Sequence, residues 1–164
     1  LEEKIFKGGK AMKKLFVLVL VVVFVLGMGR ISFTGEFGTK EEAEALVKKA
    51  INMIKTEGKE KAFAEINNPK GKFVDRDLYI FVYDLNGKCV AHGFNSKMIG
   101  KDLLEMKDAD GRYFVKERIE IAKTKGKGWQ DYKFTNPLTK KIELKTAYIE
   151  KVDDLIVGCG VYKK

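Results

Sequence analysis

Residues 77–93, DLYIFVYDLNGKCVAHG, alternate Tyr79, Phe81 and Tyr83 with Ile80 and Val82, so both faces of one strand are apolar or aromatic. That pattern predicts a central strand covered on both sides. The β-branched Ile80 and Val82 suit packing against a helix, which leaves the aromatic face for a pocket. Asn86-Gly87 predicts a tight hairpin, since both turn residues tolerate positive φ, followed by a second strand over 88–93 that carries His92.

Upstream, Thr39 predicts a helix N-cap, and Glu42 three residues later completes a capping box. Leu46, Val47, Ala50, Ile51 and Ile54 then form an apolar stripe at helical spacing. Gly58 interrupts, and 59–67 read as a short second helix stopped by Asn67-Asn68-Pro69. Residues 95–111 are too irregular for one helix and predict a loop with short turns lying over the sheet. A helix over 113–125 follows, with Phe114, Ile119 and Ile121/Ala122 apolar, ended by Gly126 and Gly128. Strands over 128–135, 141–151 and 155–162, joined by short turns, predict an antiparallel meander. The class is α+β.

Residues 15–26, LFVLVLVVVFVL, are an unbroken apolar run preceded by Met12-Lys13-Lys14. A basic segment before such a run has the form of a secretory signal. A helix over 15–29 would rise about 22 Å, short of the ~30 Å hydrocarbon core. We therefore expect residues 12–35 to be a cleaved signal peptide, or else an uncleaved membrane anchor, with a Gly- and Ser/Thr-rich linker. Lys7-Gly8-Gly9 can be encoded by a bacterial ribosome-binding sequence at the right distance from Met12. Residues 1–11 are then expected to be translated leader.

Composition changes this picture little. The chain has 164 residues and 45% apolar residues, enough for one folded domain plus an extension. The net charge of +9 comes from lysines scattered among glutamates rather than from a stripe with stacking aromatics, so nucleic acid is not expected as a partner. Cys89 and Cys159 would be able to bridge in an exported protein, or else be buried as small apolar groups. Their spacing offers no metal motif, and no cofactor or metal is expected. One histidine, no nucleophile elbow and no phosphate-cradling loop argue against catalysis.

The runs YIFVYDLNGKCVAH, IGKDLLEMKDADGRYFVKERIEIAK, GWQDYKFTNPLTKKIELKTAYIEKV and DLIVGCGVY, in that order, resemble the single-unit Cache family of extracytoplasmic sensor domains. The resemblance covers about 39–163, within a presumed domain over 36–164. It implies a PAS-like fold: a five-stranded antiparallel sheet, a long N-terminal helix on one face and a ligand pocket on the other. It also implies binding of a small organic anion, commonly a carboxylate, and a part in signalling or chemotaxis. The family usually has His-Pro where this chain has His92-Gly93. Family receptors continue into a second membrane helix and a signalling domain, whereas this sequence stops at Lys164, so a stand-alone exported form is expected.

Candidate ligand-binding residues are Tyr79, Phe81 and Tyr83 on the central strand, His92, Trp129, Tyr132, Lys145 and Tyr148. Lys145 sits mid-strand, where an inward charge needs a partner such as a ligand anion. Lys145 and Ala147 share one face and Thr146 and Tyr148 the other, so at most one of Lys145 and Tyr148 enters the pocket if the strand is regular. His92 would donate to a ligand carboxylate, better so when protonated. Trp129 and Tyr132 would supply a flat wall with polar edges. Asp84 and Asp131 are expected to cap turns or pair with lysines rather than hold metal. The alternative is a structural or protein-interaction module that kept the fold and lost the pocket. It would dimerise through the first helix; a pocket plugged by Met98 or Met106 would favour it. An anchored domain beside a membrane receptor is the third reading.

Overall fold

The computed structural model describes residues 36–163. The expected leader and the signal or anchor lie outside the described residues.

Helix α1 (Lys40–Glu57) begins at the predicted capping box: Thr39 Oγ1 accepts the Glu42 N–H at 3.2 Å, and the Glu42 carboxylate accepts the Thr39 N–H at 2.9 Å. Ala43, Val47, Ala50, Ile51 and Ile54 recur on one side and are buried. The chain breaks at Gly58 and continues as α2 (Lys59–Ile66), which buries Ala62 and Ile66. Because the stripe of α1 is spent on its own sheet, the helix shows solvent Lys48, Lys49, Asn52 and Lys55. A dimer through α1 would therefore have to use this polar surface rather than the apolar stripe.

Two short strands, β1 (Val74–Asp75) and β2 (Leu78–Tyr79), pair with each other. The chain then forms β3 (Phe81–Asp84), β4 (Cys89–His92), a 3-10 turn at Ser96–Met98 and helix α3 (Phe114–Lys125). Strands β5 (Lys127–Thr135), β6 (Ile142–Val152) and β7 (Leu155–Tyr162) complete it. The main sheet has the order β4-β3-β7-β6-β5, with every pairing antiparallel. This is the α+β architecture expected, with a long helix on one face of a five-stranded sheet.

The two faces of the central strand part as their side chains suggest. Ile80 and Val82 join Val157 and Cys159 in the core under α1 and α2. Tyr79, Phe81 and Tyr83 join Tyr132, Ala147, Ile149 and Tyr162 in a second core under α3. Residues 99–103 hydrogen-bond along β4 and the turn before it, Gly100 N–H to Cys89 O at 2.7 Å and Leu103 N–H to Gly87 O at 3.0 Å. The loop thus closes an edge that would otherwise expose unpaired backbone.

One local expectation is corrected, and two open points are decided. The apolar run over 77–83 is not one strand: β2 pairs with β1, and only from Phe81 does the chain join the main sheet. In the hairpin, only Gly87 of the Asn86-Gly87 pair takes positive φ, at 94°. Asp84 Oδ1 accepts the N–H groups of Asn86 and Lys88, both at 2.9 Å, and that chelate shapes the turn. Finally, Cys89 and Cys159 are free and buried in opposite cores, with the sheet between them, so they do not bridge. Burial pushes both thiols up to about 12.

Candidate functional site

Strand alternation gathers Tyr79, Phe81, Tyr83, His92, Tyr132 and Lys145 on or beside the α3 face of the sheet. Lys145 is 0% exposed and its Nζ has no hydrogen-bond partner. It lies 3.7 Å from the Tyr79 ring centre, 4.8 Å from that of Tyr162 and 5.8 Å from that of Phe81. Gly160 makes room for it. A Cβ there would stand 2.7 Å from Lys145 Cε, so the lysine stem crosses β7 where only hydrogen fits. Gly158 does the same for Phe81, whose ring would collide with a Cβ there.

Arg118 is the second cation of the cluster. It occupies the apolar stripe of α3 between Phe114 and Ala122 and is 1% exposed. Its guanidinium lies 4.3 Å from the Phe81 ring centre and 5.0 to 5.4 Å from those of Tyr83, Tyr132 and Phe114. Nε and Nη2 have no hydrogen-bond partner. Sequence reading passed Arg118 over because α3 was judged by its apolar residues alone. The available signal was its spacing: four residues from Phe114 and four from Ala122 place it inward.

The other polar groups are mostly engaged. Tyr162 OH donates to Thr135 O at 2.7 Å, which leaves Tyr79 OH to donate to Tyr162 O across 3.2 Å. Gln130 Nε2 donates to Phe114 O at 2.7 Å while its Oε1 is unpaired. Asp77 is fully buried; its Oδ1 accepts the Gly38 N–H at 2.6 Å and its Oδ2 is unpaired. Tyr162, Gln130 and Asp77 were also passed over in the sequence.

His92 closes the cluster from β4, stacked on Tyr79 with ring centres 5.1 Å apart. Its Nδ1 accepts the N–H groups of Phe94 and Asn95, at 3.2 and 3.0 Å, so the ring proton sits on Nε2. Burial, then Lys145 and Arg118, push its pKa down to about 3. The imidazole is therefore neutral, and the donor it offers is the Nε2–H of a neutral ring. Gly93 N–H donates to Ile80 O at 2.8 Å, a bond that the proline usual in the resembled family would lack.

Between about pH 3 and 6.5 the unfolded chain binds a proton that folded His92 refuses, so stability falls as pH falls through that window. At pH 4.5 the expected loss is about 2–3 kcal/mol. The chain has one histidine, so its ring resonance is self-assigning. In the folded protein it should stay neutral down to about pH 4 and titrate near 6.5 in urea. A folded-state midpoint near 6 would overturn this placement.

Trp129 and Tyr148 are not brought to the cluster. They face each other across β5 and β6, ring centres 5.3 Å apart, on the α1 side. Lys40 Nζ lies 5.1 Å from the Trp129 ring, and Tyr148 OH donates to Glu150 at 2.8 Å. Regular alternation sends Lys145 to one face and Tyr148 to the other. Asp84 caps its turn, and Asp131 pairs with Lys163 at 2.8 Å. Among the described residues no acidic, His and Cys groups cluster as a metal site would require.

What remains is a desolvated aromatic box holding two cations with three unpaired donor atoms. Such a box can neutralise and orient an anion.

Comparison with known proteins agrees with this architecture. The chain is 36% identical over 89 residues to the sensor histidine kinase MctS of Rhizobium johnstonii, covering 53% of this chain and 19% of that protein. It is 32% identical over 90 residues to the methyl-accepting chemotaxis protein McpP of Pseudomonas putida, covering 54% and 16%. The chain thus spans less than a fifth of the length of either relative. A solved structure described as the basis for carboxylic acid recognition by a Cache chemosensory domain superposes with a TM-score of 0.61. It is 21% identical and covers 93% of this chain and 98% of that one. The family model for single Cache domain 2 matches residues 28–164, and the chain belongs to that family.

Proposed function

We propose that this chain is an exported, non-enzymatic sensor domain that binds a small organic anion, a carboxylate, between Lys145 and Arg118 on the α3 face. One observation carries the reading: two buried cations, Lys145 and Arg118, with three donor atoms, Lys145 Nζ and Arg118 Nε and Nη2, that meet no protein acceptor. An ion taken out of water without a partner costs several kcal/mol, and cation–π contacts return about 2 kcal/mol when desolvated. A carboxylate would supply the missing acceptors. The name of the Cache domain in the solved structure, which concerns carboxylic acid recognition, supports the same class.

Sensor domains of this family stand in chemotaxis receptors and histidine kinases. The basic start and apolar run over 12–29 support export with the domain outside the cytoplasm, by a signal peptide or an anchor. A membrane receptor or kinase is the receiver this implies. The competing reading, an interaction module with a filled pocket, draws on Met98, buried in the same core, and Met106, partly buried against it. It leaves the retention of two unpaired cations unexplained.

A thermal-shift screen of the chain against short carboxylates, amino acids and amines tests the choice. A ligand at 100 times its dissociation constant adds about 2.7 kcal/mol and raises the melting temperature. Carboxylates should shift it and amines should not. Folded, ligand-free protein that no compound stabilises would favour the interaction module.

A further inference from the structure

We propose that the anion enters this site together with one proton, taken up on Lys145 Nζ, so that the domain binds the elements of the undissociated acid rather than the anion alone. This rests on the carboxylate reading above and adds a dependence on acidity to it. The step is balanced: a neutral amine, a proton from water and a carboxylate become an ammonium–carboxylate pair inside the protein.

Geometry gives Lys145 this role and withholds it from its neighbours. Most buried lysines relieve their charge by extending the stem to water. Lys145 is fully buried, and its stem lies against β7 at Gly160, where a Cβ would stand 2.7 Å from Cε. The remaining escape for an unpaired charge is to lose the proton.

Each group around it is accounted for. From α3, Arg118 is a guanidinium and keeps its charge. From the segment before β2, the Asp77 carboxylate gives one oxygen to Gly38 N–H and acts on Lys145 at long range. From β4, His92 is neutral. From β2, β5 and β7, burial raises Tyr79, Tyr132 (opposite Lys145 across the strands) and Tyr162 and holds Cys159 at about 12, so none of these gains or loses a proton between pH 6 and 9. Burial, together with Arg118, lowers Lys145 to about 7 in the unliganded protein. A bound carboxylate reverses that balance and raises it again.

The sign follows. Below about pH 7 Lys145 is already charged, and binding takes up no proton. Above it, binding takes up nearly one, and affinity falls up to tenfold per pH unit. A sensor built this way responds most strongly when carboxylate and acidity rise together, as they do where organic acids are excreted.

The test is isothermal titration calorimetry of the chain with acetate, propionate and pyruvate at pH 6.0 and 8.5, each in phosphate and in Tris. Heats should depend on the buffer at pH 8.5, with a slope close to one proton taken up, and hardly at pH 6.0. Lys145→Arg, a cation that does not titrate here, should bind without either dependence. If arginine cannot be accommodated beside Gly160, Lys145→Met serves: residual binding to Arg118 should show no proton uptake. Carboxylate binding with no buffer-dependent heat at pH 8.5 removes the proton link and leaves the carboxylate reading intact. Uptake that survives in Lys145→Met also overturns the assignment. Folded protein that binds none of the three at either pH overturns both.

Discussion

Lys145→Met is expected to stabilise the unliganded domain while weakening its response to ligand. Methionine fills much of the lysine's volume and needs no partner. Lysine here is lowered from 10.5 to about 7 by burial, so keeping it charged costs about 4–5 kcal/mol at 1.36 kcal/mol per unit. Its cation–π contacts with Tyr79 and Tyr162 offset about 2 kcal/mol of that. The variant should therefore gain about 2–3 kcal/mol at pH 6. Because the folded pKa is depressed, the unfolded chain binds more protons between about pH 7 and 10.5, and wild-type stability from this group rises with pH across that window. The advantage of Lys145→Met should thus be full below pH 7 and shrink steadily toward pH 10. Urea unfolding of both proteins at pH 6 and pH 9 measures it. A variant less stable than wild type at pH 6 would mean that Lys145 is already satisfied, and would remove the main support for an anion site.

The sheet was legible because its strands obey two-residue alternation, and the edges of each element carry local chemistry. Thr39 and Glu42 mark the start of α1, and Gly58 marks its end. The division of the central strand into an aromatic and a β-branched face correctly told which side packs against α1 and α2. The same alternation rule separated Lys145 from Tyr148, and the register of β5 on β6 then carried Trp129 to the Tyr148 side. That last step was not readable, since pairing partners become known only once the strands are aligned.

Arg118 shows a different limit. Periodicity reasoning looks for apolar residues at inward positions, so a charged residue there reads as noise in the stripe. A charged residue in an apolar stripe breaks the local rule, and that violation is the signal that sets Arg118 apart. The hairpin formed as expected, but the Asn-Gly pair alone does not describe its turn. Asp84 lies outside the Asn-Gly pair, yet its side chain accepts two of the turn's N–H groups and sets the conformation. Asp77 has a similar long-range bond to Gly38, 39 residues away, that no local pattern would reveal.

That bond also suggests how a filled site would be felt elsewhere. Arg76 donates to Phe37 O at 3.0 Å, Asp77 accepts from Gly38 N–H, and a Cβ at Gly38 would collide with Leu78. Residues 76–78 therefore grip the entry to α1, and the next residue, Tyr79, touches Lys145. A ligand that moves Lys145 acts one residue away from that grip. Any such response is a shift between two packings, limited by the ligand's difference in affinity for them.

Arg118→Met should have the larger effect on binding. Two of its guanidinium donors are unpaired and buried, so a bound carboxylate would receive charge-assisted bonds in a site without water to compete. Truncating one partner of such a pair costs about 2–5 kcal/mol, which is about thirtyfold to several thousandfold in dissociation constant. Lysine should restore only part of this, because a single ammonium cannot reproduce the planar fork, and its shorter reach leaves the Phe81 and Tyr132 faces uncovered. Without ligand, Arg118→Met should be as stable as wild type or more so, since an unpaired buried charge has been removed. Measured together with Lys145→Met, the two losses should not add if one carboxylate bridges both cations; the double variant would lose less than the sum. Titration of wild type, both single variants and the double variant with the best carboxylate from the screen decides the matter. Additive losses would place the cations on separate parts of the ligand, and an unchanged affinity in Arg118→Met would make Arg118 a packing residue of α3.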